Sequence, residues 1–202
     1  GLIEVVSNNE PRIDFSNDAK GALLLEPTRS NLIPYSEDFT NVGVWGKANT
    51  GTGVLPIVTS NQAIAPDGNL TADEVTLDVG AGTTTADQSR LAFGAQLTVA
   101  DYTSSLYLKG KVAGEQIQFI KPNGITQLIT LTTEWQRFEF TEIGNTSTLN
   151  RIGVQIRQGL DGTINSTASF YIWGAQIEEQ SYATSYIPTS GATATREAET
   201  LS

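Results

Sequence analysis

Histidine, cysteine and methionine are all absent from the 202 residues of this chain. The first two absences together remove His-based triads, thiol nucleophiles, disulfides and the usual zinc ligand sets, so any catalysis would rest on carboxylates alone. The third leaves the sequence opening at Gly1, inside the apolar stretch Gly1-Leu2-Ile3, which reads as a fragment or processed product of a longer polypeptide. Long apolar runs are missing as well. None approaches the roughly 20 residues that span a bilayer as a helix, and no charged-then-apolar leader appears, so a soluble piece without a membrane partner is expected. Basic residues are scarce: Lys and Arg number 12 against 22 Asp and Glu, the formal net charge is -10 and the pI is about 4.4. A surface of that sign repels polyanions, so nucleic acid is not an expected partner.

What is present leans towards strands. Apolar residues make up 39% and charged residues 17%, with 19 Gly and many Thr, Ser, Asn and Gln, a composition suited to strand faces and turns. Period-two alternation recurs. In Tyr102-Thr103-Ser104-Ser105-Leu106-Tyr107-Leu108-Lys109, Leu106 and Leu108 oppose Tyr107 and Lys109. In Gln116-Ile117-Gln118-Phe119-Ile120, Ile117 and Phe119 oppose Gln116 and Gln118. In Arg151 to Arg157, Ile152, Val154 and Ile156 oppose Arg151, Gln155 and Arg157. Trp135 to Phe140 alternates too, and Phe170-Tyr171-Ile172-Trp173 is apolar on both faces, as for a central or interface-covered strand. Pro66-Asp67-Gly68, Lys121-Pro122-Asn123-Gly124 and Leu160-Asp161-Gly162 supply turn chemistry between such runs. No long helical periodicity and no internal repeat is visible. The pattern predicts an all-β, antiparallel two-sheet β-sandwich over 31–180, an extended N-terminal arm over 1–30, and an irregular C-terminal tail over 181–202.

Carboxylate chemistry needs a pair. Glycoside hydrolysis requires two carboxyls about 5 to 9.5 Å apart, and the adjacent pairs Asp73-Glu74 and Glu178-Glu179 point to opposite faces of a strand. Asp67, Asn69 and Asp73 mimic the start of a calcium loop without its twelfth-position Glu, and a plain turn explains them. Gly51-Thr52-Gly53 is a fragment of a dinucleotide fingerprint with Pro56 where a helix would run, so it reads as a loop.

Several phrases occur together in a fixed order: Asn31 to Trp45, Ala65-Pro66-Asp67-Gly68 with Thr71-Ala72-Asp73, Tyr102 to Lys109, Thr133-Glu134-Trp135, and Trp173-Gly174-Ala175-Gln176-Ile177-Glu178. They are flanked by Leu23-Leu24-Leu25-Glu26-Pro27-Thr28-Arg29-Ser30-Asn31-Leu32 and Ala183-Thr184-Ser185-Tyr186-Ile187-Pro188-Thr189. This text resembles the carbohydrate-binding-module-like jelly rolls of bacteriophage tail and head-fibre structural proteins. The resemblance implies a jelly-roll topology, no catalysis, a place on the virion or outside the cell, other virion proteins as partners, and a homo-oligomer, often a trimer. Many glycan-binding relatives hold a structural calcium through an early Glu or Asp and a late Asp pair. Glu37 and Asp38 stand at the early position, while Gly174-Ala175 replaces the late pair.

The polar strand faces suggest a site. Tyr107, Lys109, Gln116, Gln118, Gln155 and Arg157 offer amides and a guanidinium for bidentate bonds to sugar hydroxyls and one ring for stacking, and they form a shallow groove if their three strands adjoin. Trp45 is a candidate loop platform for a sugar ring, whereas Trp135 and Trp173 suit a core or interface. The leading expectation is a non-catalytic virion module, tail or head fibre, that binds host-surface carbohydrate. The alternative is a purely structural decoration or oligomerisation domain, self-associating through Phe170, Ile172 and neighbouring apolar residues. A hydrolase with two facing carboxylates is the third.

Overall fold

The computed structural model describes residue 3 and residues 12–14, 19–94, 97–146, 151–162 and 165–200. Among them are fourteen strands and no helix: β1 (Ile13–Asp14), β2 (Ala22–Leu23), β3 (Arg29–Asn31), β4 (Trp45–Thr50), β5 (Val54–Ile64), β6 (Leu70–Asp78), β7 (Gln88–Gly94), β8 (Ala100–Gly110), β9 (Gln116–Ile120), β10 (Thr126–Thr130), β11 (Gln136–Asn145), β12 (Arg151–Arg157), β13 (Thr167–Glu178) and β14 (Ala194–Arg196). Ten of these make two five-stranded antiparallel sheets. Sheet I runs β10-β9-β12-β7-β4 and sheet II runs β11-β8-β13-β6-β5, while β1-β2 and β14-β3 form small ribbons.

Alternation decides which side chains lie between the sheets. Leu106, Leu108, Ile117, Phe119, Ile152, Val154, Ile156, Phe170 and Ile172 are fully buried in one core contributed by both sheets. Burying each such side chain favours the folded state by about 1.5–3 kcal/mol. The expected strands appear as β8, β9, β11, β12 and β13. The Pro66-Asp67-Gly68 turn joins β5 to β6: Ala65 N–H donates to Asn69 O at 2.7 Å, and Gly68 takes φ +89°, a conformation that suits glycine. Phe170 and Ile172 face inward on β13, the central strand of sheet II, so they belong to the chain's own core and are not free to mediate self-association.

Both ends of the chain close over sheet II. The side chain of Asn31, fully buried, donates to Ala175 O and Ile187 O at 2.9 Å each and accepts from Ile33 N at 3.1 Å and Ile177 N at 3.2 Å. One amide thus joins β3, β13 and the segment beyond residue 180. Alongside it, Glu26 meets Arg12 at 2.5 Å and Arg196 at 3.0 Å, and Arg12 meets Glu199 at 2.7 Å. The expected C-terminal tail carries one short strand, β14, and buries Thr184, Ile187 and Thr189.

Candidate functional site

Each sheet has an outer face, and the strand register assigns their residues. On sheet I the outward positions are Gly46, Ala48 and Thr50 of β4, Gln88, Arg90 and Ala92 of β7, Arg151, Gly153, Gln155 and Arg157 of β12, Gln116, Gln118 and Ile120 of β9, and Thr126, Leu128 and Thr130 of β10. None of these strand positions is acidic.

A row of amides organises this face. Gln88 Nε2 donates to Gln155 Oε1 at 2.5 Å, Gln155 Nε2 donates to Gln118 Oε1 at 3.0 Å, and Gln118 Nε2 donates to Leu160 O at 2.6 Å. Gln118 Oε1 also accepts from Arg157 N at 3.0 Å. All three glutamines are buried. Their amides bond within the chain and hold the turn after β12, so Gln118 and Gln155 are framework, contrary to the expectation that they would offer free amides to a sugar. Gln116 keeps one buried carbonyl oxygen without a donor, as does Gln158 beside Arg157.

The β7 end of the face is set by Asp87. Its carboxylate accepts from Thr52 N at 2.8 Å, Thr52 Oγ1 at 3.0 Å, Thr84 N at 3.1 Å and Thr84 Oγ1 at 2.9 Å. Four donors stabilise the ionised form and pull its pKa down to about 2. Gly82 permits this approach, because a Cβ there would come within 2.2 Å of the Asp87 carboxyl carbon. The loop so fixed receives Arg157, whose Nε donates to Thr85 O at 2.5 Å.

Arg90 lies directly across from Gln155, with Arg157 one pleat along β12 and Arg151 at its far end. No ion pair to a carboxylate involves any of the three among the described residues. Burial lowers the Arg90 pKa, and the charges of Arg151 and Arg157 lower it further.

Tyr107 and Lys109 are elsewhere. They point outward from β8, in sheet II, on the opposite side of the sandwich from Gln116 and Arg157. The expected six-residue groove therefore does not form, because β8 does not adjoin β9 or β12. Tyr107 packs edge-on to Trp173 at 5.5 Å and Tyr186 at 6.4 Å, under Arg137 at 5.6 Å. Trp45 is not a loop platform either. It opens β4, is fully buried against Phe39 at 4.5 Å, and its indole N–H donates to Tyr35 O at 2.9 Å. Trp135 is partly buried and donates to Ile64 O at 2.9 Å, and Trp173 is 1% exposed, the core roles expected of both.

Much of the outer face of sheet II is covered by the chain itself. Arg137 donates to Thr184 O at 2.7 Å, Thr103 Oγ1 to Gln180 O at 2.8 Å, and Gln176 Oε1 accepts from Ile187 N at 2.7 Å.

Glu37 and Asp38 line a depression of about 250 Å³ with Tyr35, Pro188, Thr189 and Ser190. Glu37 accepts from Tyr186 OH at 2.9 Å, and burial pushes its pKa up, away from the charged form a cation requires. Asp38 Oδ1 caps Thr40 through both its N–H and hydroxyl. No group of three or more acids able to hold a metal occurs among the described residues, so these side chains do not fit a calcium site.

No family model and no curated protein matches the chain. Solved structures do. TmCBM61 in complex with β-1,4-galactotriose is similar with a TM-score of 0.50 at 13% identity, over 75% of this chain and 99% of that one. The family 11 carbohydrate-binding module from Clostridium thermocellum, in complex with a β-1,3-1,4-mixed-linked tetrasaccharide, gives 0.46 at 14% identity, over 82% and 99%. The enzymatically active domain of bacteriophage CBA120 tailspike protein 4 gives 0.42 at 13% identity over 73% of this chain, which spans only 21% of that one. What the likeness to TmCBM61 shows is the fold. This chain is an all-β, antiparallel two-sheet jelly-roll sandwich.

Sequence analysis placed Arg151 on the polar face of its strand and did not single out Arg90, which the register sets beside it on the outer face of sheet I. The signal for Arg90 lies in Gln88-Ser89-Arg90-Leu91-Ala92-Phe93, where Leu91 and Phe93 alternate with Arg90, but the strands that pair with β7 are distant in sequence.

Proposed function

We propose that this chain is a non-catalytic carbohydrate-recognition module, carried on a virion protein, that meets host-surface glycan on the outer face of sheet I. The observation that carries this reading is the asymmetry of the two faces. Sheet II is roofed by residues 180–190, whereas on sheet I the turn after β12 covers the Gln118 end and leaves Arg90 and Arg157 partly exposed beside Gly46 and Ala48. Guanidinium groups form paired hydrogen bonds to vicinal oxygens. The solved complex of TmCBM61, which shares this fold, with an oligosaccharide supports the substrate class, and the ordered phrases resembling phage fibre modules support the virion setting.

The reading is tested by following backbone amide resonances during titration with a panel of bacterial surface polysaccharides. Shifts confined to β4, β7 and β12 are expected. Shifts confined to β8, β11 and β13, or none with any polysaccharide, overturn it.

A second reading, a structural contact between subunits, is favoured by one observation: Leu55, Ile57 and Ile64 of the edge strand β5, and Leu70 opposite Ile64 at the start of β6, are all more than half exposed. An apolar sheet edge invites pairing with another chain. Sedimentation velocity of the wild type and Ile57→Glu separates the two. Loss of an oligomer in the variant supports subunit contact, and a monomer in both retires it.

A further inference from the structure

We infer that the glycan taken by this face is anionic, bearing carboxylate, sulfate or phosphate groups, and that Arg90, Arg151 and Arg157 are the residues that select for it; this rests on the face being the glycan site proposed above. Charge distribution is the first ground. The chain carries 22 acids and only 12 bases, so scattered arginines would be expected to find carboxylates. These three share one side of β7 and β12 on a face whose strand positions include no acid.

Spacing is the second ground. Arg157 pairs with Gln88, and Arg90 is two residues further along the same strand, so the two are diagonal neighbours whose backbones lie about 7–8 Å apart. One substituent can lie between them. Arg151 is six residues from Arg157, about 20 Å along β12, a distance that suits repeated charges along an extended chain better than a single small anion.

Saturation is the third ground. The Arg90 side chain makes no hydrogen bond among the described residues, and Arg157 commits only Nε, to Thr85 O. Like charges brought together without a salt bridge to any of them disfavour the unliganded fold, and an anionic ligand would relieve that cost. The face also favours a glycan over a nucleic acid: none of its outward strand positions is aromatic, so nothing there stacks a base.

The test is affinity electrophoresis of the whole chain through gels containing polygalacturonate, dextran sulfate, neutral dextran, neutral galactan or single-stranded DNA, with wild type, Arg90→Gln and Arg157→Gln. Retardation by polygalacturonate or dextran sulfate is expected, weakened about tenfold in each variant, the usual effect of losing one charge-assisted hydrogen bond. Thermal denaturation should show both variants folded. Retardation by neutral galactan or dextran alone, unchanged in the variants, overturns the anionic assignment while leaving glycan recognition standing. Retardation by DNA with the same arginine dependence overturns it in favour of nucleic acid. Binding to none of the polymers by the wild type defeats both this inference and the reading beneath it.

Discussion

Arg137 and Arg90 occupy comparable outward positions on the two sheets and live in different surroundings. Arg137, on β11 of sheet II, pairs with Glu139 at 3.0 Å, donates to Ser105 and Thr184, and covers the Tyr107 ring. Arg90, on β7 of sheet I, faces two other arginines. The difference teaches that the faces have separate tasks. Sheet II spends its outer polar groups on holding the two ends of the chain, while sheet I keeps charge in reserve that folding alone does not require.

The contrast would be broken most severely by removing the amide that holds the roof. Asn31→Ala deletes four hydrogen bonds and leaves the carbonyls of Ala175 and Ile187 and the N–H groups of Ile33 and Ile177 buried without partners. At roughly 1–3 kcal/mol for each unsatisfied group, offset where water enters, a loss of about 3–5 kcal/mol is expected by chemical denaturation. A loss below 1 kcal/mol would mean that the roof does not depend on this clasp.

Glu26→Ala should follow at about 3 kcal/mol, near the low end for a broken buried ion pair. It strands Arg12 and Arg196, which remain largely covered, and frees Ser185 N–H. Arg12 keeps Glu199, which limits the damage. Both variants should leave ligand-induced shifts on β7 unchanged, since neither touches sheet I.

Legibility in the sequence followed the same division. Strands β8, β9 and β12 could be read because Leu106, Ile117 and Val154 alternate with polar residues, and alternation survives folding whatever the strand pairs with. Which strands adjoin could not be read. Tyr107 and Gln118 carry the same local signature, yet β8 pairs with β11 and β13 while β9 pairs with β10 and β12, because pairing in a jelly roll joins segments distant in sequence. Trp45 misled for a related reason. It follows a turn-rich stretch and precedes Gly46, as an exposed loop residue would, but its indole N–H finds Tyr35 O and its ring finds Phe39, so burial costs it nothing. The clasp of Asn31 with Ala175 and Ile187 spans nearly the whole chain and leaves no local trace.

Titration sharpens the comparison, because arginines keep their charge across the accessible range while the carboxylates around sheet II do not. Asp73 of β6 accepts from Phe39 N at 3.0 Å and Asn61 N at 3.1 Å, and burial pushes its pKa up to about 6 from an ordinary value of 3.8. A raised carboxylate pKa means that the folded state binds the proton more tightly, so this group destabilises the fold above pH 6 and ceases to do so as the pH falls towards 4. About two pKa units correspond to roughly 2–3 kcal/mol. Melting temperature should rise between pH 7 and pH 5, then fall below pH 4 as Asp87, held at about 2, and Glu26, held low, begin to lose their advantage. Asp73→Asn should flatten the rise between pH 7 and pH 5. A rise of equal size in that variant would assign it to another group.

The smallest effect is the most specific to sheet I. Arg90→Gln removes a charge with no partner acid while keeping a long polar side chain, so no hydrogen bond is lost and repulsion from Arg151 and Arg157 is relieved. Stability should increase by up to about 1 kcal/mol at low ionic strength, because exposed like charges interact weakly through water. Salt screens such repulsion, so the advantage over wild type should shrink as the Debye length contracts from about 30 Å at 0.01 M to about 3 Å at 1 M. Arg137→Gln on the other face, measured beside it, should destabilise at every salt concentration, since it gives up Glu139, Ser105 and Thr184 together. Stabilisation by the first and destabilisation by the second, with opposite dependence on salt, is what a ligand-ready face set against a roofed one requires; if Arg90→Gln destabilises as Arg137→Gln does, Arg90 is a structural residue and the two faces are alike.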